Sequence, residues 1–77
     1  MSDAVVDVRP IIASGGEPLN EILAAADTVP DRGRLVVIAP FEPIPLYGMM
    51  RQMGFSHESE LVSGGGVRVV FTRNPKS

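Results

Sequence analysis

Cysteine is absent from this 77-residue chain. That single absence excludes disulfides, thiolate nucleophiles, iron–sulfur ligation and cysteine-bound structural zinc. Tryptophan is absent too, and there is one tyrosine, Tyr47, and one histidine, His57. A catalytic histidine needs a nucleophile and an orienting partner, and neither is identifiable near His57 in the sequence. Positive charge is scarce: seven Lys and Arg stand against nine Asp and Glu, for a net charge of −2. The basic residues are spread from Arg9 to Lys76 without a cluster, which argues against a large phosphate-binding surface and against nucleic acid as a partner. No apolar run approaches the roughly 18 residues that span a bilayer, so no membrane association is expected. The first residues lack the basic region and the long apolar stretch of a secretory signal, which makes the cytoplasm the expected location.

What is present suits one small globular domain over residues 1–77, with an ordered core from about residue 4 to 73. Hydrophobic residues make up 44% and charged residues 21%, an ordinary balance for a folded chain rather than a disordered one. Ala4–Val8 is a β-branched run halted by Arg9-Pro10, because proline cannot continue a ladder. Ala13-Ser14-Gly15-Gly16 reads as a flexible turn. Leu19, Ile22, Leu23 and Ala26 then recur at the spacing of an amphipathic helix ending near Thr28. Ser14 and Glu17 match a capping box, but that register would place Pro18 where an intrahelical N–H is needed. Pro18 at the first helical position with Glu17 as the cap is preferred.

Leu35–Ala39 is an unbroken apolar run, expected as a central strand with both faces largely covered. Three prolines in Pro40–Pro45 make a stiff, extended connection. Pro45 suits the first position of a second helix with the stripe Leu46, Met49, Met50 and Met53. Gly54 suits its stop, with Phe55 packing back on Met50. Ser56–Val62 reads as a short polar edge strand, Ser63–Gly66 as a hairpin loop, Val67–Thr72 as the last strand and Arg73–Ser77 as a fraying end. The order β-α-β-α-β-β predicts an α/β (α+β) two-layer sandwich, with two helices on one face of a four-stranded mixed sheet.

Val6-Asp7-Val8-Arg9, Glu17-Pro18-Leu19 and Phe41-Glu42-Pro43-Ile44-Pro45-Leu46-Tyr47 resemble the TusA/SirA-like fold. The resemblance is greatest to its uncharacterised branch, domain of unknown function 2249, and runs from about Ala4 to Arg73. It implies the sheet order 1-2-4-3 with strand four antiparallel to the others. In the sulfur carriers of that fold, the cysteine of a Cys-Pro-x-Pro motif opening helix one carries a persulfide. Here Gly15 holds the cysteine position, Gly16 the first proline position, and only the last proline, Pro18, remains. Persulfide transfer needs a thiolate, so that activity does not carry over. The uncharacterised branch often has a histidine–acid–proline triplet before helix two, suited to a metal or haem ligand, and is linked with nitrogen-oxide and haem metabolism. In this chain the triplet is Phe41-Glu42-Pro43.

The candidate binding residues are therefore Arg9, Gly15, Gly16, Glu17, Pro18, Phe41, Glu42 and Tyr47. Free N–H groups behind Gly15 and Gly16 could receive a small anionic ligand, or the glycines could simply make the turn while Glu17 fills the cap. Asp7 and Arg9, two residues apart, share a side, and the resemblance places them beside the carrier site. Arg9 is thus the best candidate for an anion, or else half of a surface ion pair. Phe41, Ile44 and Tyr47 form an apolar patch for a protein partner if exposed, or cover the end of the helix layer if not. Met49, Met50 and Met53 with His57 would suit copper(I), but the methionines fall on a core stripe, and His57 reads as an exposed edge-strand residue. No catalytic residue, metal or cofactor is expected. The reading is a non-enzymatic binding or interaction module with an unknown protein partner or small anionic ligand. The alternative is a metal-, haem- or anion-binding accessory domain in redox or nitrogen-oxide metabolism.

Overall fold

Four strands, three of them rich in β-branched residues, form one sheet in a computed structural model, which describes residues 3–75. In chain order the elements are β1 (Asp3–Asp7), α1 (Arg9–Ala13), α2 (Pro18–Asp27), β2 (Arg34–Ala39), α3 (Ile44–Gln52), β3 (Phe55–Leu61) and β4 (Val67–Arg73). The sheet order is β1-β2-β4-β3, with β1 parallel to β2 and β4 antiparallel to both its neighbours. This is the expected mixed sheet in the strand order that the resemblance implies.

Side-chain alternation along the two central strands decides where the core lies. Leu35, Val37 and Ala39 of β2 and Val67, Val69 and Phe71 of β4 are buried on one face. They cluster there with Ile22 and Ala26 of α2 and Leu46 and Met50 of α3. The opposite face is not covered, contrary to the expectation for β2. Val36, Ile38 and Val70 are half-buried and Val5 is 63% exposed. Val5, Val36 and Val70 stand in one cross-strand row, so these side chains shelter one another rather than lying under a second helix layer.

The segment after β1 is more ordered than a flexible turn. Pro10, with its preset φ, sits at the start of the short helix α1. Gly15 takes φ +80°, its N–H donates to the Ile12 carbonyl, and the Gly16 N–H donates to the Ile11 carbonyl. That pair of bonds is a complete Schellman stop. Helix α2 begins as expected, with Pro18 in its first turn and Glu17 as the cap, and ends at Asp27 with Thr28 as its C-cap. Helix α3 starts one residue earlier than expected, at Ile44, with Pro43 in the cap position. Its stop is at Gly54, φ +93°, whose N–H donates to the Arg51 carbonyl.

The expected fraying end is anchored through Asn74. Arg73 exchanges backbone hydrogen bonds with the 32–33 turn, through the Arg32 N–H and the Gly33 carbonyl. Its guanidinium lies over the Phe55 ring, 4.5 Å from the centroid, and donates to the Val29 and Ala26 carbonyls at 2.7 and 2.9 Å. A cation at carbonyls in and just beyond the last turn of α2 answers both their remaining lone pairs and the helix dipole. The Asn74 N–H donates to the Gly54 carbonyl at 2.8 Å. Lys76 and Ser77, also expected to fray, lie outside the described residues.

Candidate functional site

The C-terminal ends of β1 and β2 deliver the chain to α1 and to the proline-rich connection, and these two segments meet the first turns of α2 and α3. Between them lies an open cleft of about 260 Å³. Val8, Val37 and Ala39 line it from the sheet side, Pro18, Leu19 and Ile22 from α2, and Phe41, Pro43, Pro45, Leu46 and Met49 from the other side. Its lining is almost wholly apolar, and none of these side chains can give or take a proton. Phe41 is 59% exposed and Ile44 64% exposed, so the connection presents an apolar patch instead of covering the helix layer.

Tyr47 and Glu42 face away from this cleft. The Tyr47 hydroxyl donates to Glu42 Oε2 at 3.1 Å, and the Ser59 hydroxyl donates to the same oxygen at 3.4 Å. The Tyr47 ring stacks on His57 with centroids 3.9 Å apart and planes 12° from parallel, and its edge meets Phe71. His57 is accordingly half-buried under Tyr47, on the helix side of β3, and not the exposed edge residue that its strand position suggested. Burial pushes the Tyr47 phenol above its usual range, the Ser59 hydroxyl opposes the rise, and the Glu42 carboxylate adds to it. A second, smaller depression of about 220 Å³ opens on this side, lined by Glu42, Ser59, Glu60, Leu61 and Val67.

Arg9 does not face either depression with a free guanidinium. Asp7 accepts from Arg9 Nε at 2.9 Å, from Nη2 at 2.7 Å and from the Arg9 backbone N–H at 3.0 Å. This pairing lowers the Asp7 carboxyl below the usual carboxylate range, chiefly through the side-chain hydrogen bond. Gly15 and Gly16 close α1, and a Cβ on Gly16 would meet Ile11 Cγ2 at 3.0 Å. Glu17 caps α2 by accepting the Leu19 N–H at 3.4 Å, so a carboxylate already occupies the position an anion would take.

The expected residues thus fall into three groups. Pro18 and Phe41 share the cleft, Glu42 and Tyr47 form a polar cluster over β3, and Arg9, Gly15, Gly16 and Glu17 are each engaged by near neighbours in the chain, Asp7, Ile12, Ile11 and Leu19 respectively. The triplet Phe41-Glu42-Pro43 does not fit a metal or haem ligand set, because Phe41 has no donor atom and Glu42 is engaged by two hydroxyls. Nor is a copper site assembled: Met50 is fully buried, Met49 borders the cleft, and His57 is stacked on Tyr47. Among the described residues no three His, Asp or Glu side chains are grouped for a metal ion. The cleft walls Leu19, Ile22 and Met49 escaped sequence reasoning as site residues, since their spacing marks them only as inward-facing. Ser59 gave no signal as the second partner of Glu42.

Among the described residues no helix is long and apolar enough to cross a membrane. No curated protein and no solved structure matches the chain. Residues 5–73, nearly its whole length, match the family described as uncharacterized conserved protein (DUF2249). The chain belongs to that family.

Proposed function

We propose that this chain is a non-enzymatic binding module, and that the cleft between α2 and α3 seats an apolar side chain of a partner protein. The observation that carries this reading is the open apolar cleft with Phe41 and Ile44 exposed beside it on a backbone stiffened by Pro40, Pro43 and Pro45. Large hydrophobic side chains held exposed beside a concavity are the usual anchors of a protein interface. A rigid backbone reduces the ordering entropy that association would otherwise cost. Size agrees: an apolar cavity of about 150 Å³ admits a benzene-sized molecule, so about 260 Å³ suits one large or two small apolar side chains. The lining offers no proton donor or acceptor for chemistry on a bound molecule. A small anion is less well served, because Arg9 is neutralised by Asp7 and Glu17 fills the α2 N-terminus.

The test is an amide NMR titration with acetylated decapeptides, each carrying one central Leu, Met or Phe. Shifts confined to Leu19, Phe41, Ile44 and Met49, lost in Met49→Glu and retained in Val5→Glu on the far sheet face, are expected. Peptides that leave the spectrum unchanged at millimolar concentration would refute the proposal.

A further inference from the structure

We infer that the partner segment is cationic beside its apolar anchor, with a Lys or Arg two or three residues from the side chain that enters the cleft. This deepens the preceding proposal and rests on it. Phe41 and Pro43 line the apolar cleft, while Glu42, between them in the chain, lines the neighbouring depression with Ser59, Glu60 and Leu61. The two concavities therefore lie on either side of one bent stretch of backbone, residues 41–43, about 5 Å across. A partner segment crossing this ridge advances about 3.3 Å per residue, which brings a side chain two or three positions from the anchor over the second depression.

The chemistry of that second depression selects a cation. The Glu42 carboxylate accepts from two hydroxyls, Tyr47 and Ser59, which hold its charge in place without neutralising it. Glu60 shares the depression but is paired with Arg68. Among the described residues Glu42 has no guanidinium within ion-pair reach, and Glu17 adds a further carboxylate beside Pro18 at the opposite cleft wall. Arg9, next in the chain to the cleft residue Val8, is already held by Asp7. Leu61, 85% exposed, supplies an aliphatic surface along which the methylenes of a Lys or Arg can lie. A basic side chain thus meets complementary charge here, and an acidic one meets repulsion.

The experiment compares anchored decapeptides that differ only in carrying Lys, Ser or Glu two and three residues from the anchor. They are titrated against the unaltered protein, Glu42→Gln and Glu42→Lys, with thermal unfolding confirming that each variant folds. Glu42→Gln keeps an acceptor for Tyr47 and Ser59 while removing the charge. The Lys peptides are expected to bind the unaltered protein about two- to fivefold more tightly than the Ser peptides, the scale of one exposed ion pair. That advantage disappears in Glu42→Gln and passes to the Glu peptides in Glu42→Lys. Lys, Ser and Glu peptides binding alike to the unaltered protein, or an unchanged ranking in Glu42→Lys, overturn the inference and leave the binding module standing. No binding by any peptide overturns both.

Discussion

Met49 and Met50 are consecutive residues of α3 with opposite surroundings, and replacing each by alanine tests whether the cleft is open in solution. Met50 is fully buried with Leu46, Phe55 and Phe71 in the core cluster. Met50→Ala leaves a void closed by the sheet and is expected to cost about 2–5 kcal/mol. A 77-residue domain has a total stability of only about 4–12 kcal/mol, so this variant approaches the limit of folding. Met49 is 38% exposed, and its sheltered part faces the open cleft. Full burial of a methionine is worth about 1.5–3 kcal/mol, only part of it is realised at Met49, and water can fill the space left behind. Met49→Ala is therefore expected to cost about 1 kcal/mol. At about 4–8 °C per kcal/mol for a domain of this size, Tm should fall by roughly 10 °C or more for Met50→Ala and by about half that or less for Met49→Ala. Urea unfolding followed by far-UV circular dichroism suits a chain without tryptophan. Equal losses in the two variants would show that Met49 is as enclosed as Met50. The cleft would then be filled in solution, and the proposed function would lose its site.

Two pH-dependent predictions follow from the same geometry. The Asp7 carboxyl is depressed by Arg9, so its stabilising contribution is complete above the usual carboxylate range and is lost as pH falls through its lowered value. Asp7→Asn should flatten the acid arm of stability against pH between those limits, and a carboxyl resonance titrating at the ordinary position would contradict the pairing with Arg9. The Tyr47 phenol is raised from its ordinary value of 10.0, so its contribution is complete below that pH and fades as pH rises through the elevated value. Glu42→Gln removes a nearby negative charge and should bring the Tyr47 midpoint down in an absorbance titration at alkaline pH, where no other tyrosine interferes. A midpoint unmoved or raised would show that Glu42 does not hold its charge against the phenol.

The parts of the fold that were legible are those where one residue has few structural options. Pro18 could occupy only the first turn of α2, which placed Glu17 at the cap, and Gly54 marked the end of α3 because its positive φ suits glycine. Helix α1 was missed for the complementary reason. It is five residues long, too short for Ile11 and Ile12 to show a period, and its Gly15-Gly16 stop has the same composition as an irregular turn. The open face of β2 was misread because Val36 and Ile38 are as apolar as Val37. A run without alternation looks doubly covered even when cross-strand neighbours such as Val5 and Val70 do part of the sheltering. Arg73 read as a frayed end because its partners, the Val29 and Ala26 carbonyls, lie more than forty residues away in the chain.

The candidate site divides along a similar line. Its ridge was legible, because prolines flanking an aromatic residue announce a stiff segment with an apolar side chain, and Phe41 is exposed there. Its cleft was not, because a cleft is a failure of two apolar stripes to meet, and periodicity reports only which way each stripe faces. Leu19 and Ile22 on α2 and Leu46 and Met49 on α3 all point toward the sheet side, yet the first turns of the two helices stand apart over Val37 and Ala39. Each helix opens with a proline in its first turn, and α1 inserts Ile12 beside them, so the entry of both helices is set by rigid backbone rather than by contact between their side chains. The gap is thus built into the backbone where β1 and β2 hand the chain to α1 and to the proline-rich connection. The proposed recognition therefore rests on apolar contact within this gap and on the charge of Glu42 beside it.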